Sequence, residues 1–132
     1  MTALLVVGAI FAGFAAAIHV FIFVLESLQW SKPATWKRFG LKSQDEADTV
    51  RPMAFNQGFY NLFLTIGVVI GLVMVAAGIP GGVALTIFAC ASMVAAALVL
   101  ILSSPKLARA AMLQGAAPLL GIIFLVLALT TA

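Results

Sequence analysis

Charge is scarce in this chain. Asp, Glu, Lys and Arg make up 8 % of its 132 residues, whereas soluble domains carry about a quarter. There is one cysteine, Cys90, so an internal disulfide and a CxxC metal site are both excluded. Cys90 stands alone in an apolar run, where a thiol packs as a small hydrophobe. There is one histidine, His19, and the acids are scattered, so no metal site is expected. His19 could supply one axial haem ligand, but nothing else in the chain points to haem, and no cofactor is expected. P-loop, zincin and nucleophile-elbow patterns are missing. The apolar runs lack the alternation of a membrane barrel. No basic residue precedes the first apolar run, which is also too long for a signal-peptide core, so it is expected to stay as a membrane helix.

What is present is apolar surface. Hydrophobic residues make up 64 % of the chain, and no soluble fold of this size could bury that much. A helix needs about 20 mostly apolar residues to cross a bilayer. Four stretches qualify, at about residues 3–30, 55–79, 81–102 and 110–130. The expected fold is an all-α membrane protein: one integral domain over residues 1–132, forming an antiparallel bundle of four transmembrane helices. "GIPGG" (78–82) makes a tight turn between the second and third spans. The first connection is longer (31–52). There, Trp36 and Phe39 beside Lys37 and Arg38 suggest a short interfacial segment on the lipid surface. Ser43 and Glu46 have capping-box spacing, which suggests a second short helix.

All the basic residues lie in two loops. Lys32, Lys37, Arg38, Lys42 and Arg51 are in the first connection, and Lys106 and Arg109 are in the third. Both loops fall on one side of a four-span bundle. The positive-inside rule places that side in the cytoplasm and both termini outside it. The net charge of +3 is therefore read as topology, and no nucleic acid is expected as a partner. The spacings Gly67-xxx-Gly71 and Gly8-xxx-Ala12-xxx-Ala16 permit close helix contact, either within one chain or in a homodimer.

The polar residues gather at one depth. On a helix, His19, Phe23, Glu26 and Trp30 form one stripe, with His19 about 10 Å from Glu26 along the axis. The second span opens "FNQGFYN" (55–61), which places Asn56, Gln57, Tyr60 and Asn61 near the depth of Glu26. Gln114 enters the fourth span from the same side. Unpartnered polar groups are unfavourable in lipid. His19, Glu26, Trp30, Asn56, Gln57, Tyr60, Asn61 and Gln114 are therefore expected to line a polar pocket open to the cytoplasm, above an apolar outer floor. Plainer readings stand beside this one. Glu26 could reach water and pair with Lys32 or Arg51, and His19 could bond a carbonyl in the core. The amides could be interhelical glue, Tyr60 and Trp30 belt aromatics, and Gln114 a helix-start residue.

"HVFIFVLESLQW" (19–30), "FGL" (39–41) and "NQGFYNLFL" (56–64) together resemble the domain-of-unknown-function 1304 family of small bacterial inner-membrane proteins. The family's His and Glu in the first span, its following aromatic and its Asn-Gln-Gly-x-Tyr-Asn start to the second fall here on His19, Glu26, Trp30, Asn56, Gln57, Gly58, Tyr60 and Asn61. Ser27 stands where members often have methionine. The resemblance implies four helices in a bacterial inner membrane, and no activity.

Three functions compete. A small-molecule binder or transporter would use Glu26 as its proton or substrate site, and would need an oligomer to alternate access. A membrane-embedded enzyme acting on a lipid or hydrophobic small molecule would use His19 and Glu26 as acid and base, although their separation is too large for a direct dyad. An accessory subunit of a membrane complex would use the polar cluster only for packing. Binding or transport is the preferred reading. Membrane lipid is the expected partner, with a small-molecule ligand and a homodimer left open.

Overall fold

The computed structural model describes residues 2–131. It is all helix, with no strand among the described residues. Helix α1 (Ala3–Phe23) starts at Thr2, whose hydroxyl accepts from the Leu5 amide, and runs into a one-turn π-helix, Val24–Leu28. After it come α2 (Pro33–Trp36), α3 (Gln44–Ala76), α4 (Gly82–Ser103) and α5 (Ala108–Thr130). Short 3-10 turns at Lys37–Phe39 and Pro105–Leu107 follow α2 and precede α5. Four helical stretches are long and apolar enough to cross a membrane: Ala3–Leu28, Gln44–Ala76, Gly82–Ser103 and Pro105–Thr130.

The four long helices form a ring. α1 packs against α3 and α5, α4 packs against the same two, and α1 barely touches α4 across the diagonal. Lipid is as apolar as leucine, so burial of hydrophobic area cannot choose the inward face; close packing of small residues can. The core is accordingly built from Ala12, Ala15, Ala16, Ala89, Cys90 and Ala117, with Val68 and Met93 filling the centre. The small-residue spacings are used within the chain. Gly8 lies against Leu125, Ala12 packs beside Gly121, and a Cβ at Gly71 would sit 2.9 Å from the Thr86 backbone nitrogen. At the far end, Ile79 N–H bonds Met74 O at 2.9 Å and Gly78 N–H bonds Val75 O at 3.2 Å. This Schellman pair needs the left-handed φ of +67° at Gly78 and turns the chain into α4.

The helix that carries the second span is longer than the apolar run: α3 runs unbroken from Gln44 through Pro52 and ends at Ala76. Its start is well capped. Ser43 Oγ accepts from Glu46 N–H at 3.2 Å, and Glu46 Oε2 accepts from Lys42 N–H at 2.9 Å. Pro52 leaves the helix interior without one backbone donor, yet the helix continues past it. At 33 residues, α3 is about 50 Å long, so it outreaches a hydrocarbon core of about 30 Å by several turns.

The protruding turns of α3 form a platform for the first connection. The Trp30 indole donates to Ala47 O at 2.9 Å, and the Trp36 indole donates to Gln44 Oε1 at 3.2 Å. Both rings are buried with Ala47 and Ala54, and Phe39, Leu41 and Val50 pack around them. The expected interfacial segment is present, but Trp36 and Phe39 face α3 rather than lipid. An indole N–H beside the Ala47 carbonyl or the Gln44 amide oxygen gains a hydrogen bond there that lipid tails cannot provide.

Candidate functional site

Glu26 sits in the π-turn that ends the first span. The wider turn is marked by Gln29 N–H bonding Val24 O, five residues back, at 2.9 Å. Two contacts from α3 hold it. Ser27 Oγ donates to Phe55 O at 2.8 Å, and Asn61 Nδ2 donates to Glu26 Oε2 at 3.0 Å. Asn61 Nδ2 also donates to Gln57 O at 3.0 Å, which fixes its rotamer. Thr65 makes the same kind of cross-helix bond, to Ala16 O at 3.1 Å, whereas Thr86, Ser92 and Ser103 each bond the carbonyl four residues back in their own helix.

Gly58 makes this approach possible. A Cβ there would lie 3.0 Å from Ser27 N and 3.1 Å from Glu26 Cβ, and would collide with Ser27 Oγ. Without a side chain at 58, the backbone of α3 lies directly against the π-turn. The turn is also flanked by the edge-to-face pair Phe23–Phe59, with centroids 5.1 Å apart.

Glu26 is 8 % exposed. Its one side-chain hydrogen bond uses Oε2. Among the described residues no buried side-chain oxygen lacks a partner, so Oε1 reaches open space. That space is a small hollow of about 100 Å³ lined by Glu26, Ser27, Trp30, Ser31, Arg51 and Phe55. A single water needs roughly 10–15 Å³ measured in this way. The hollow therefore has room for several waters or a small polar group.

Of the other expected pocket residues, Trp30 and Asn61 meet Glu26 and the rest are dispersed. His19 is buried on the same helix face as Glu26, but its Nδ1 bonds Ala15 O at 2.9 Å, one turn back. Trp30 lies beside Glu26 in the hollow wall. Asn56, Gln57 and Tyr60 are exposed. The inward stripe of α3 is instead Ala54, Gly58, Thr65, Val68 and Gly71, with Asn61 half-buried at its rim. The start of the second span is thus rotated so that small residues meet α1 and three of its four polar side chains turn outward. Gln114 is half-buried on α5, outside the hollow. Ser27, Ser31 and Arg51 line the hollow although they were not among the expected site residues. A serine directly beside the lone membrane glutamate was the available signal for Ser27. Among the described residues no group of three His, Cys, Asp or Glu side chains could hold a metal ion.

The family model described as "Protein of unknown function (DUF1304)" matches residues 13–126. The match covers both halves of the site, the π-turn and the start of the second span. No curated protein and no solved structure matches the chain.

Proposed function

The chain belongs to the DUF1304 family, and from that premise we propose that it binds a small polar molecule or headgroup in the hollow beside Glu26. The observation that carries this reading is the half-satisfied carboxyl group: Oε2 is held by Asn61, while Oε1 opens onto a hollow that Arg51 also lines. A carboxyl group within a membrane span is disfavoured unless it is partnered or used. A π-turn inside a helix is also a frequent feature of functional sites. Here the turn, Gly58 and Asn61 act together to hold one carboxyl group in a fixed orientation.

In this reading the protein lies in the inner membrane, with the hollow toward the cytoplasm and both termini outside. The basic loops support that orientation. Binding is favoured over translocation. Beyond His19 the core is closed by Ala12, Ala15, Ala16 and Val68, each no more than 5 % exposed, and the buried hydroxyls of Thr65 and Thr86 are taken up by the carbonyls of Ala16 and Gly82. An acid–base enzyme is disfavoured because His19 is held by its own helix, about 10 Å from Glu26 along the axis.

The test is native mass spectrometry of protein released from nanodiscs of whole membrane lipid. The wild type should carry a reproducible adduct that Glu26→Gln loses while remaining folded. Identical adduct patterns in the two proteins would refute the reading.

A further inference from the structure

We infer that the group bound in the hollow is an ammonium–phosphate zwitterion of the phosphoethanolamine type, with its ammonium on Glu26 and its phosphate on Arg51. The inference rests on the binding reading above and names the ligand class for the same site.

The two charged side chains of the hollow do not satisfy each other. The Glu26 carboxyl group has Asn61 as its side-chain partner, and Arg51 is exposed at the rim. One hollow thus offers an acceptor at its base and a guanidinium at its mouth. An ionised carboxylate only accepts hydrogen bonds, and a guanidinium only donates them. A ligand that satisfies both needs N–H donors at its inner end and an anionic oxygen cluster at its outer end. A primary ammonium has three N–H donors. Glu26 Oε1 takes one, and the hydroxyl oxygens of Ser27 and Ser31, both lining residues, can accept others. Ser27 Oγ keeps acceptor capacity because its own proton goes to Phe55 O. Arginine is well suited to phosphate oxygens.

The same features reject the neighbouring chemistries. A trimethylammonium has no N–H to donate and is bulkier. A purely anionic headgroup would set its charge against Glu26 without a cation between them. Depth fits as well. The hollow lies where the first span ends at Leu28 and where the platform of α3 leaves the apolar zone, beside the indole of Trp30. Lipid headgroups occupy that level of a bilayer.

The experiment uses the full chain in nanodiscs containing equal parts of phosphatidylethanolamine, phosphatidylcholine and phosphatidylglycerol, read by native mass spectrometry of retained lipid. Wild type should retain phosphatidylethanolamine over phosphatidylcholine by roughly tenfold or more, as one charge-assisted hydrogen bond implies. Glu26→Gln and Arg51→Gln should each lose most of that preference. Arg51 is exposed, so its variant reports on the site even if the Glu26 variant folds poorly. Adding soluble phosphoethanolamine separates the sources. Displacement of the lipid assigns the site to a free zwitterion, and persistence assigns it to a headgroup; either supports the shared chemistry. A Glu26-dependent adduct that is phosphatidylglycerol, phosphatidylcholine or a molecule with no ammonium would overturn this inference while leaving a binding site. Lipid retention unaffected by both variants would overturn the inference and the binding reading together.

Discussion

Asn61 and Glu26 meet across 3.0 Å, although 35 residues separate them in the chain. The bond joins the end of the first span to the second turn of the apolar part of α3. It also leaves one carboxyl oxygen for another partner. Asn61→Leu removes the donor and keeps the approximate volume. The buried Oε2 is then left unsatisfied, which should lower stability by about 1–3 kcal/mol. Glu26→Gln keeps an acceptor for Asn61 and should cost less than about 1 kcal/mol. Reversible unfolding in mixed micelles reads both. Equal losses in the two variants would mean that the bond does not carry the contact.

Gly58 predicts a steric result. Gly58→Ala places a methyl group against Ser27 Oγ and 3.1 Å from Glu26 Cβ. The α3 backbone must move or the π-turn must reshape, at a cost of about 1–3 kcal/mol. Ser27→Ala should recover part of the loss in the double variant, because the hydroxyl is the nearest obstruction. Gly13→Ala is the control. The nearest atom to its Cβ would be Leu72 Cδ1 at 3.9 Å, so the helix propensity of alanine should leave stability equal or raised by up to about 1 kcal/mol. A similar loss at both positions would argue against a close contact at Gly58.

Trp30 ties the first connection to α3. Trp30→Phe preserves a ring against Phe39, whose centroid is 5.1 Å away, but removes the donor to Ala47 O. The expected loss is about 1 kcal/mol. It should be local, so amide exchange in residues 31–41 should quicken while the core around Val68 stays protected. Uniformly faster exchange across the bundle would show that the platform is part of the main core.

How much of this was legible in the sequence differs from element to element. The four spans and the turn at Gly78 follow from the apolar runs and from glycine punctuation. The shared depth of Glu26 and Asn61 follows from antiparallel geometry, because both lie near the same ends of adjoining spans. The rotation of α3 did not follow. Where all sides of a helix are apolar, hydrophobic periodicity carries no phase, and the inward stripe of Ala54, Gly58, Thr65, Val68 and Gly71 is distinguished mainly by small size. Asn56, Gln57 and Tyr60 were expected beside Glu26, but that stripe leaves them exposed. The π-turn has no composition signature, so the pairing of Ser27 with Phe55 O was not readable. Trp36 and Phe39 were assigned to lipid because aromatics beside lysines often lie there. They pack on α3 instead, because α3 extends far enough beyond the apolar zone to receive them.

Topology gives the last prediction. Ala34 and Pro80 are both exposed and stand at opposite ends of the bundle, Ala34 in the basic connection and Pro80 in the uncharged turn. Cys90, the natural cysteine, is fully buried and should resist labelling in the folded protein. Ala34→Cys and Pro80→Cys therefore each add one reactive thiol on a quiet background. If the basic loops face the cytoplasm, a membrane-impermeant maleimide applied to intact cells stripped of their outer membrane should label Pro80→Cys and spare Ala34→Cys. Inverted vesicles should reverse the pattern. Labelling of Ala34→Cys from outside would turn the bundle over. It would also place the Glu26 hollow in the other leaflet, where a cytoplasmic ligand could not reach it.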